Sequence, residues 1–257
     1  VSRHLAQARY GVYKAATQGG IEMKVSKERF EDHCWKDVVP AEDLKLYETY
    51  VRDTYIGPNA AVLAIDLYNI VYRGGQHSPY ELDATYPNSC GIYAHQAIAP
   101  TQAVLAAARA AGVPIIFCTK DVAPNNRPAD AISTKRRQFT PGPDDYGIYE
   151  AFEVHQDDIV IRKQRASIFE GTPLKSHLAL LGVRSLIVLG EATSGCVRAS
   201  VVEGFSAGYH VSVVEECTFD RAPLTHKVNL FDMHHKYADV LHVDDVLDHL
   251  RELTLQG

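Results

Sequence analysis

The chain has 257 residues, 46% hydrophobic and 23% charged, a composition that can bury a core without disulfides or structural metal. Lys plus Arg (26) against Asp plus Glu (32) leaves a net charge of −6, which argues against a nucleic-acid footprint. Five cysteines, an odd number with no CxxC pair, argue against a disulfide framework or zinc ribbon and for a reducing compartment. No apolar run approaches the ~20 residues of a membrane span, and the opening Val-Ser-Arg-His has no apolar signal core. A cytoplasmic protein is the expectation.

In chain order, residues 1–58 carry a broken helical pattern dense in charge and end in the loop signal Ile56-Gly57-Pro58-Asn59. They are expected to form an N-terminal helical arm lying on the main domain, residues 59–257, or on a neighbouring subunit. Beyond residue 60, apolar runs of strand length fall at Ala61–Ile65, Val113–Cys118, Ile159–Ile161, Leu186–Leu189, Val211–Val214 and Val240–Val243. Helical stretches Ala97–Ala111, Pro173–Leu181, Cys196–Ala207 and Thr225–Lys236 lie between several of them, three ending at Gly112, Gly182 and Gly208. Continuous apolar strands alternating with helices predict a three-layer α/β/α sandwich around a mainly parallel sheet of about six strands. Two long insertions, Tyr68–Tyr93 and Asp121–Glu153, are rich in Gly, Pro, Asn and Asp and are expected to be functional loops or lids.

An open α/β sheet binds ligands beyond the carboxyl ends of its strands. Three such ends carry reactive groups: Asp66 after Ala61–Ile65, Lys163 after Ile-Val-Ile-Arg, and Cys196 after Gly190-Glu-Ala-Thr-Ser-Gly. A cysteine opening a helix has its thiolate favoured by the dipole and the free N–H groups. A carboxylate can take the thiol proton, a lysine can hold the carboxylate, and turn amides can receive an oxyanion. Singly, each has a plainer reading: a cap, a surface charge or a small core residue. Their coincidence on one sheet edge favours chemistry.

The segment Gly190-Glu-Ala-Thr-Ser-Gly-Cys196-Val-Arg-Ala-Ser resembles the nucleophile motif of the isochorismatase-like cysteine hydrolases. Lys163-Gln-Arg-Ala-Ser-Ile-Phe-Glu-Gly-Thr172 and the Asp66 strand resemble that family's lysine and aspartate motifs, over about residues 60–250. Downstream, Glu216-Cys-Thr-Phe-Asp-Arg221, His226 and Lys236-Tyr-Ala-Asp-Val240 are most similar to the N-carbamoylsarcosine and maleamate amidase branch. The resemblance implies a Cys196 nucleophile, Asp66 as base and then acid, and Lys163 completing the triad. It also implies a cis peptide at Glu191–Ala192, an oxyanion hole from the N–H groups of Ala192 and Cys196, and substrate contacts from Arg221 and Thr193. Members resemble dimers or tetramers, so a homo-oligomer is implied. Isochorismatase itself cleaves a vinyl ether without a cysteine there, so Cys196 favours C–N hydrolysis.

In related nicotinamidases a metal sits on an Asp-x-His motif; here the strand runs Cys118-Thr-Lys-Asp121-Val-Ala, without the histidine, and no metal is expected. No GxGxxG or GxxxxGK[ST] follows the first strand, and Gly74-Gly75 is too short to cradle phosphate, so no cofactor is expected. Adjacent His234 and His235 are assigned to a surface or interface, Cys118 and Cys217 to the core, and Thr172 to a helix cap. The expected activity is ammonia release from a small carboxylated amide or N-carbamoyl compound. Hydrolysis of neutral ureides such as biuret, and a silent thiol-bearing binding or sensor module, are the alternatives.

Overall fold

Continuous burial along the central apolar runs decides the architecture of the computed structural model, which describes residues 23–123 and 142–256. Within the arm, β1 (Met23–Val25), the short helix α1 (Ala41–Tyr47) and β2 (Thr54–Ile56) are joined by three 3₁₀ turns. β1 and β2 pair antiparallel, Met23 opposite Ile56. The described arm is therefore a mixed element rather than a helical one; residues 1–22 lie outside the described chain.

The six expected strands are present as β3 (Ala60–Ile65), β4 (Ile115–Lys120), β5 (Ile159–Lys163), β6 (Ser185–Glu191), β7 (His210–Phe219) and β8 (Asp239–Leu241). They form one sheet in the order β5-β4-β3-β6-β7-β8, every pair parallel. β4 starts two residues later than expected because Pro114 has no N–H for the ladder; its carbonyl instead accepts from Val62 at 2.8 Å. β5 alternates buried and exposed residues, as an edge strand does, and its inward row carries Ile161 and Lys163.

Among the described residues, seven further helices complete the fold: α2 (Pro79–Leu82), α3 (Gly91–Gln96), α4 (Ile98–Ala110), α5 (Leu174–Leu180), α6 (Arg198–Ser206), α7 (Pro223–Lys236) and α8 (Val243–Gln256). Val62, Ala64, Ile115, Phe117, Ile187 and Leu189 face one way and pack with Val104 and Leu105 of α4 and Val246 and Leu250 of α8. Ala61, Leu63, Ile65, Ile116, Val188 and Val213 face the other way, against Leu174 of α5, Val201 of α6 and Leu230 of α7. Trp35 of the arm is fully buried in that second core. Gly112, Gly182 and Gly208 all have positive φ where the helices end.

The first insertion is folded rather than open. Tyr68 bridges Ile148, and Tyr72 stacks on Tyr149 with ring centroids 4.1 Å apart, so the described parts of the two insertions pack on each other. Residues 124–141 of the second insertion lie outside the described chain.

Candidate active site

The strand order reverses between β3 and β6, and the residues after those two strands supply Asp66 and Cys196. A crevice at such a switch point is where open α/β sheets place ligands. Asp66 leaves β3 with φ +52°, a left-handed turn that a short polar side chain tolerates. Lys163 reaches over the end of β4 from β5, and its ammonium lies 2.7 Å from Asp66 Oδ2. The same Nζ donates to Cys196 Sγ at 3.3 Å and to the Arg165 carbonyl at 3.2 Å. Held by an ion pair and two hydrogen bonds at once, Lys163 is a fixed cation rather than a proton acceptor. Asp66 and Lys163 are only 1% and 4% exposed.

The turn carrying Cys196 is built by its neighbours. Gly190 has φ +109°, and a Cβ there would sit 2.0 Å from the Ile65 carbonyl oxygen, so only glycine fits where β6 crosses β3. The Glu191–Ala192 peptide is cis. Residues Thr193–Val197 then form one wide turn with Gly195 at φ −114° and ψ −106°, and α6 begins only at Arg198. Cys196 therefore lies in the turn before α6, not at its first residue as expected.

Two residues of the next crossover hold this turn. Asp220, buried at the end of β7, accepts from Ser194 N–H at 2.9 Å and Ser194 Oγ at 2.6 Å. Thr193 is fully buried, with Oγ1 2.7 Å from His226 Nδ1. Burial lowers the pKa of His226, keeping its ring neutral. The family resemblance points to Arg221 alone; the role of Asp220 beside it depends on a contact with Ser194 that no local pattern carries.

Burial pushes the Cys196 thiol well up, and the Asp66 carboxylate adds to that. Burial alone would lower Lys163, but Asp66 outweighs it and the ammonium is held above its usual range. At neutral pH the resting Cys196 is thus a neutral thiol beside a Lys163 ammonium, and thiolate formation requires a base.

The remaining candidates separate cleanly. Arg221 is exposed, and its Nη1 donates to the Pro87 carbonyl of the first insertion at 2.9 Å. Asp121 Oδ1 accepts from Ala123 N–H at 3.0 Å and Oδ2 from Gln164 Nε2 at 3.1 Å, so its carboxylate is engaged locally. Thr172, expected as a helix cap, lies one residue before Pro173, which holds the N-cap position of α5; its Oγ1 accepts from Leu174 N–H at 3.3 Å. His234 and His235, expected at a surface or interface, are buried under the arm, 0% and 2% exposed. His235 Nε2 lies 2.8 Å from Glu31, and Phe30 packs 4.0 Å from the His234 ring. Cys118 and Cys217 are buried as expected.

An open depression borders the turn at Ser194, Gly195 and Arg198, but none of the trio lines it, so it is not assigned as a substrate site. Among the described residues, His33, Glu215 and His242 bring possible metal-ligand atoms within 4.8 Å of one another. Their imidazoles stack at 4.8 Å and 20°. Ring-nitrogen lone pairs lie in the ring plane, so near-parallel stacked rings do not converge on one ion. His33 Nδ1 lies 2.6 Å from Glu215 and His242 Nδ1 2.7 Å from Glu216, making this an arm-to-domain clasp.

The isochorismatase domain model matches residues 60–245, starting at the first residue of β3 and leaving the arm outside. Maleamate amidohydrolase of Pseudomonas putida is 40% identical over 105 residues, 41% of this chain and 49% of its own. The chain thus aligns with about half the length of that relative. N-carbamoylsarcosine amidase of an Arthrobacter species is 31% identical over 207 residues, covering 77% of this chain and 73% of that protein. A solved cysteine hydrolase from Pseudomonas syringae pv. phaseolicola shares the fold, with a TM-score of 0.64 at 20% identity over 77% of this chain and 95% of its own. With the parallel sheet and a domain match over most of its length, this chain belongs to the isochorismatase family.

Proposed function

We propose that the chain is a cysteine-dependent amidohydrolase that releases ammonia from a small carboxylated amide or N-carbamoyl compound. Its class, a hydrolase of amide C–N bonds, follows from the family and from its curated relatives. One observation carries the mechanism: the Lys163 ammonium touches the Asp66 carboxylate and the Cys196 sulfur at once.

In this reading Asp66 takes the Cys196 proton as sulfur attacks the carbonyl carbon. The N–H groups of Ala192 and Cys196 receive the oxyanion, and Lys163 offsets the charge gathering around it. The C–N bond breaks, Asp66 returns the proton to the leaving nitrogen, and ammonia departs from a thioester. Water then attacks the acyl carbon while Asp66 takes its proton. Collapse frees the acid, or the carbamic acid of a ureido substrate, and Cys196 regains its thiol. Arg221 would bind a substrate carboxylate and Thr193 would line the site. No metal or cofactor enters any step, and a cytoplasmic homo-oligomer, dimer or tetramer, belongs to the same reading.

The test is ammonia release from a panel of carboxylated amides and N-carbamoyl amino acids after dialysis against a chelator. The wild type should turn over and show an acyl mass on the peptide bearing Cys196; Cys196→Ala should do neither. An active Cys196→Ala enzyme, or activity restored only by one added metal, would overturn the proposal. A second reading, a neutral ureide as substrate, is favoured by one observation: the Arg221 guanidinium already has the Pro87 carbonyl as partner. A thiol sensor would need neither Asp66 nor Lys163.

A further inference from the structure

Three residues, Asp66, Lys163 and Cys196, make up the site in the reading above, and a fourth touches Asp66. Cys118 lies on β4, the strand over which Lys163 must reach, and pairs in register with Ile65, the last residue of β3. Its Sγ is 3.5 Å from Asp66 Oδ1, while its own carbonyl accepts the Asp66 N–H at 3.2 Å. Lys163 holds the other oxygen, Oδ2. The Cys118 side chain is 1% exposed, so no water competes for that oxygen from its side. Burial first, and then the nearby Asp66 charge, push its thiol well above the usual range, so it is present as S–H, a donor.

We propose that Cys118 is a positioning residue for the general base: its thiol donates to Asp66 Oδ1 and fixes the carboxylate with Oδ2 toward Lys163 and the nucleophile. This rests on Asp66 being the base. A cysteine suits the place because a core thiol is small and apolar enough for the sheet face yet supplies one weak donor. A donor favours the ionised form of the carboxylate that accepts from it, so its loss is read in the acid limb of Cys196 reactivity. Among the described residues, the charged and titratable groups around Asp66 and Cys196 are Lys163 from β5, Cys118 from β4 and Glu191 from the end of β6.

The test follows the rate of Cys196 alkylation by iodoacetamide against pH, read peptide by peptide in the intact protein, which needs no knowledge of the substrate. Wild type, Cys118→Ala, Cys118→Val, Cys118→Ser and Asp66→Asn are compared, with folding checked by circular dichroism. The midpoint of the acid limb should rise by about half a unit to one unit in Cys118→Ala and Cys118→Val, a roughly threefold to tenfold change in proton affinity. Cys118→Ser keeps a donor and should return the midpoint to the wild-type value or below. Unmoved midpoints in Cys118→Ala and Cys118→Val, with Asp66→Asn clearly altered, would overturn the proposal. A Cys118→Ser shift as large as that of Cys118→Ala would do the same, since packing alone would then explain it. An unaltered Asp66→Asn profile is the separate result that removes Asp66 as base. If Cys118→Ala fails to fold, Cys118→Val, which fills the space without a donor, carries the comparison with Cys118→Ser.

Discussion

Two parts of the molecule use nearly the same ion-pair distance for different ends. At the strand ends, Lys163 and Asp66 meet at 2.7 Å with both side chains at most 5% exposed. At the arm seam, His242 and Glu216 meet at the same 2.7 Å, but their side chains are 26% and 37% exposed. The attraction between unit charges scales inversely with the local dielectric, so water at the seam takes most of the second pair's value. In the buried pair, removing one partner strands a charge, at a cost of about 3–5 kcal/mol. The first arrangement is therefore suited to setting proton affinities, and the second to orienting His242, whose Nε2 lies 2.6 Å from the Asp32 carbonyl of the arm. Arg52 sits between these cases, with Nη2 on the buried Asp239 at 2.5 Å and on the His234 and Ala238 carbonyls.

The hardest way to break the comparison is to remove a charge from the buried pair. Asp66→Asn keeps the shape and loses the base, and general-base losses run about 100- to 10,000-fold. Lys163→Met removes the cation paired with Asp66 and should be comparably severe. A double-mutant cycle on kcat/KM, with circular dichroism for folding, should give losses far from additive, since members of one catalytic unit fail together. Additive losses, or a near-normal Asp66→Asn enzyme, would place both residues in a structural role.

The residues of the trio were legible because each follows a continuous apolar run, and the sheet they end on was legible for the same reason. What lateral neighbours contribute was not. Cys118 reads as core, and it is core; its contact with Asp66 depends on the β3–β4 register, which no local pattern carries. The wide turn at Thr193–Val197 was hidden because its backbone course is set by Gly190 against Ile65 and by Asp220, 26 residues beyond Ser194. The helical expectation for the arm missed that Met23–Val25 and Thr54–Ile56 find each other across a long excursion. α8 has no counterpart among the expected elements, and Val243, expected to end a strand, begins it. The buried His234–His235 pair shows the same limit: charge-bearing rings on a helix read as exposed until an arm from 200 residues away covers them.

A smaller effect sharpens the substrate question. If Arg221 turns from the Pro87 carbonyl to a substrate carboxylate, the charge-assisted contact contributes about 1.5–3 kcal/mol, roughly tenfold to a hundredfold in kcat/KM. Arg221→Ala should lose that much on an acidic substrate and much less on its neutral amide or ester analogue. Arg221→Lys should recover only part, since a point charge does not reproduce the guanidinium fork. Equal losses on both substrates would assign Arg221 to holding the first insertion through Pro87 and move the substrate toward neutral ureides.

The smallest effect belongs to the seam and tests the other half of the comparison. The hydrogen bond to Glu216 pushes the His242 pKa up to about 9. Burial opposes this, while the Asp32 carbonyl, 2.6 Å from Nε2, and the charges of Glu216 and Glu215 support it. A folded pKa above the ordinary ~6.5 means the imidazolium's contribution is fully present below about pH 6.5. It is then lost as pH rises through about 9. Because the pair is partly open to water, the contribution is screened, and a difference of only about 1–3 °C in Tm is expected. The measurement is Tm from pH 6 to 10 for wild type and His242→Gln, whose difference isolates this ring from the other titrating groups. The wild type's advantage should fade with rising pH and shrink at 0.5 M salt, where screening lengths fall to about 4 Å. Parallel curves at every pH would show that the ring stacking of His33 and His242, rather than their carboxylate partners, fastens the arm.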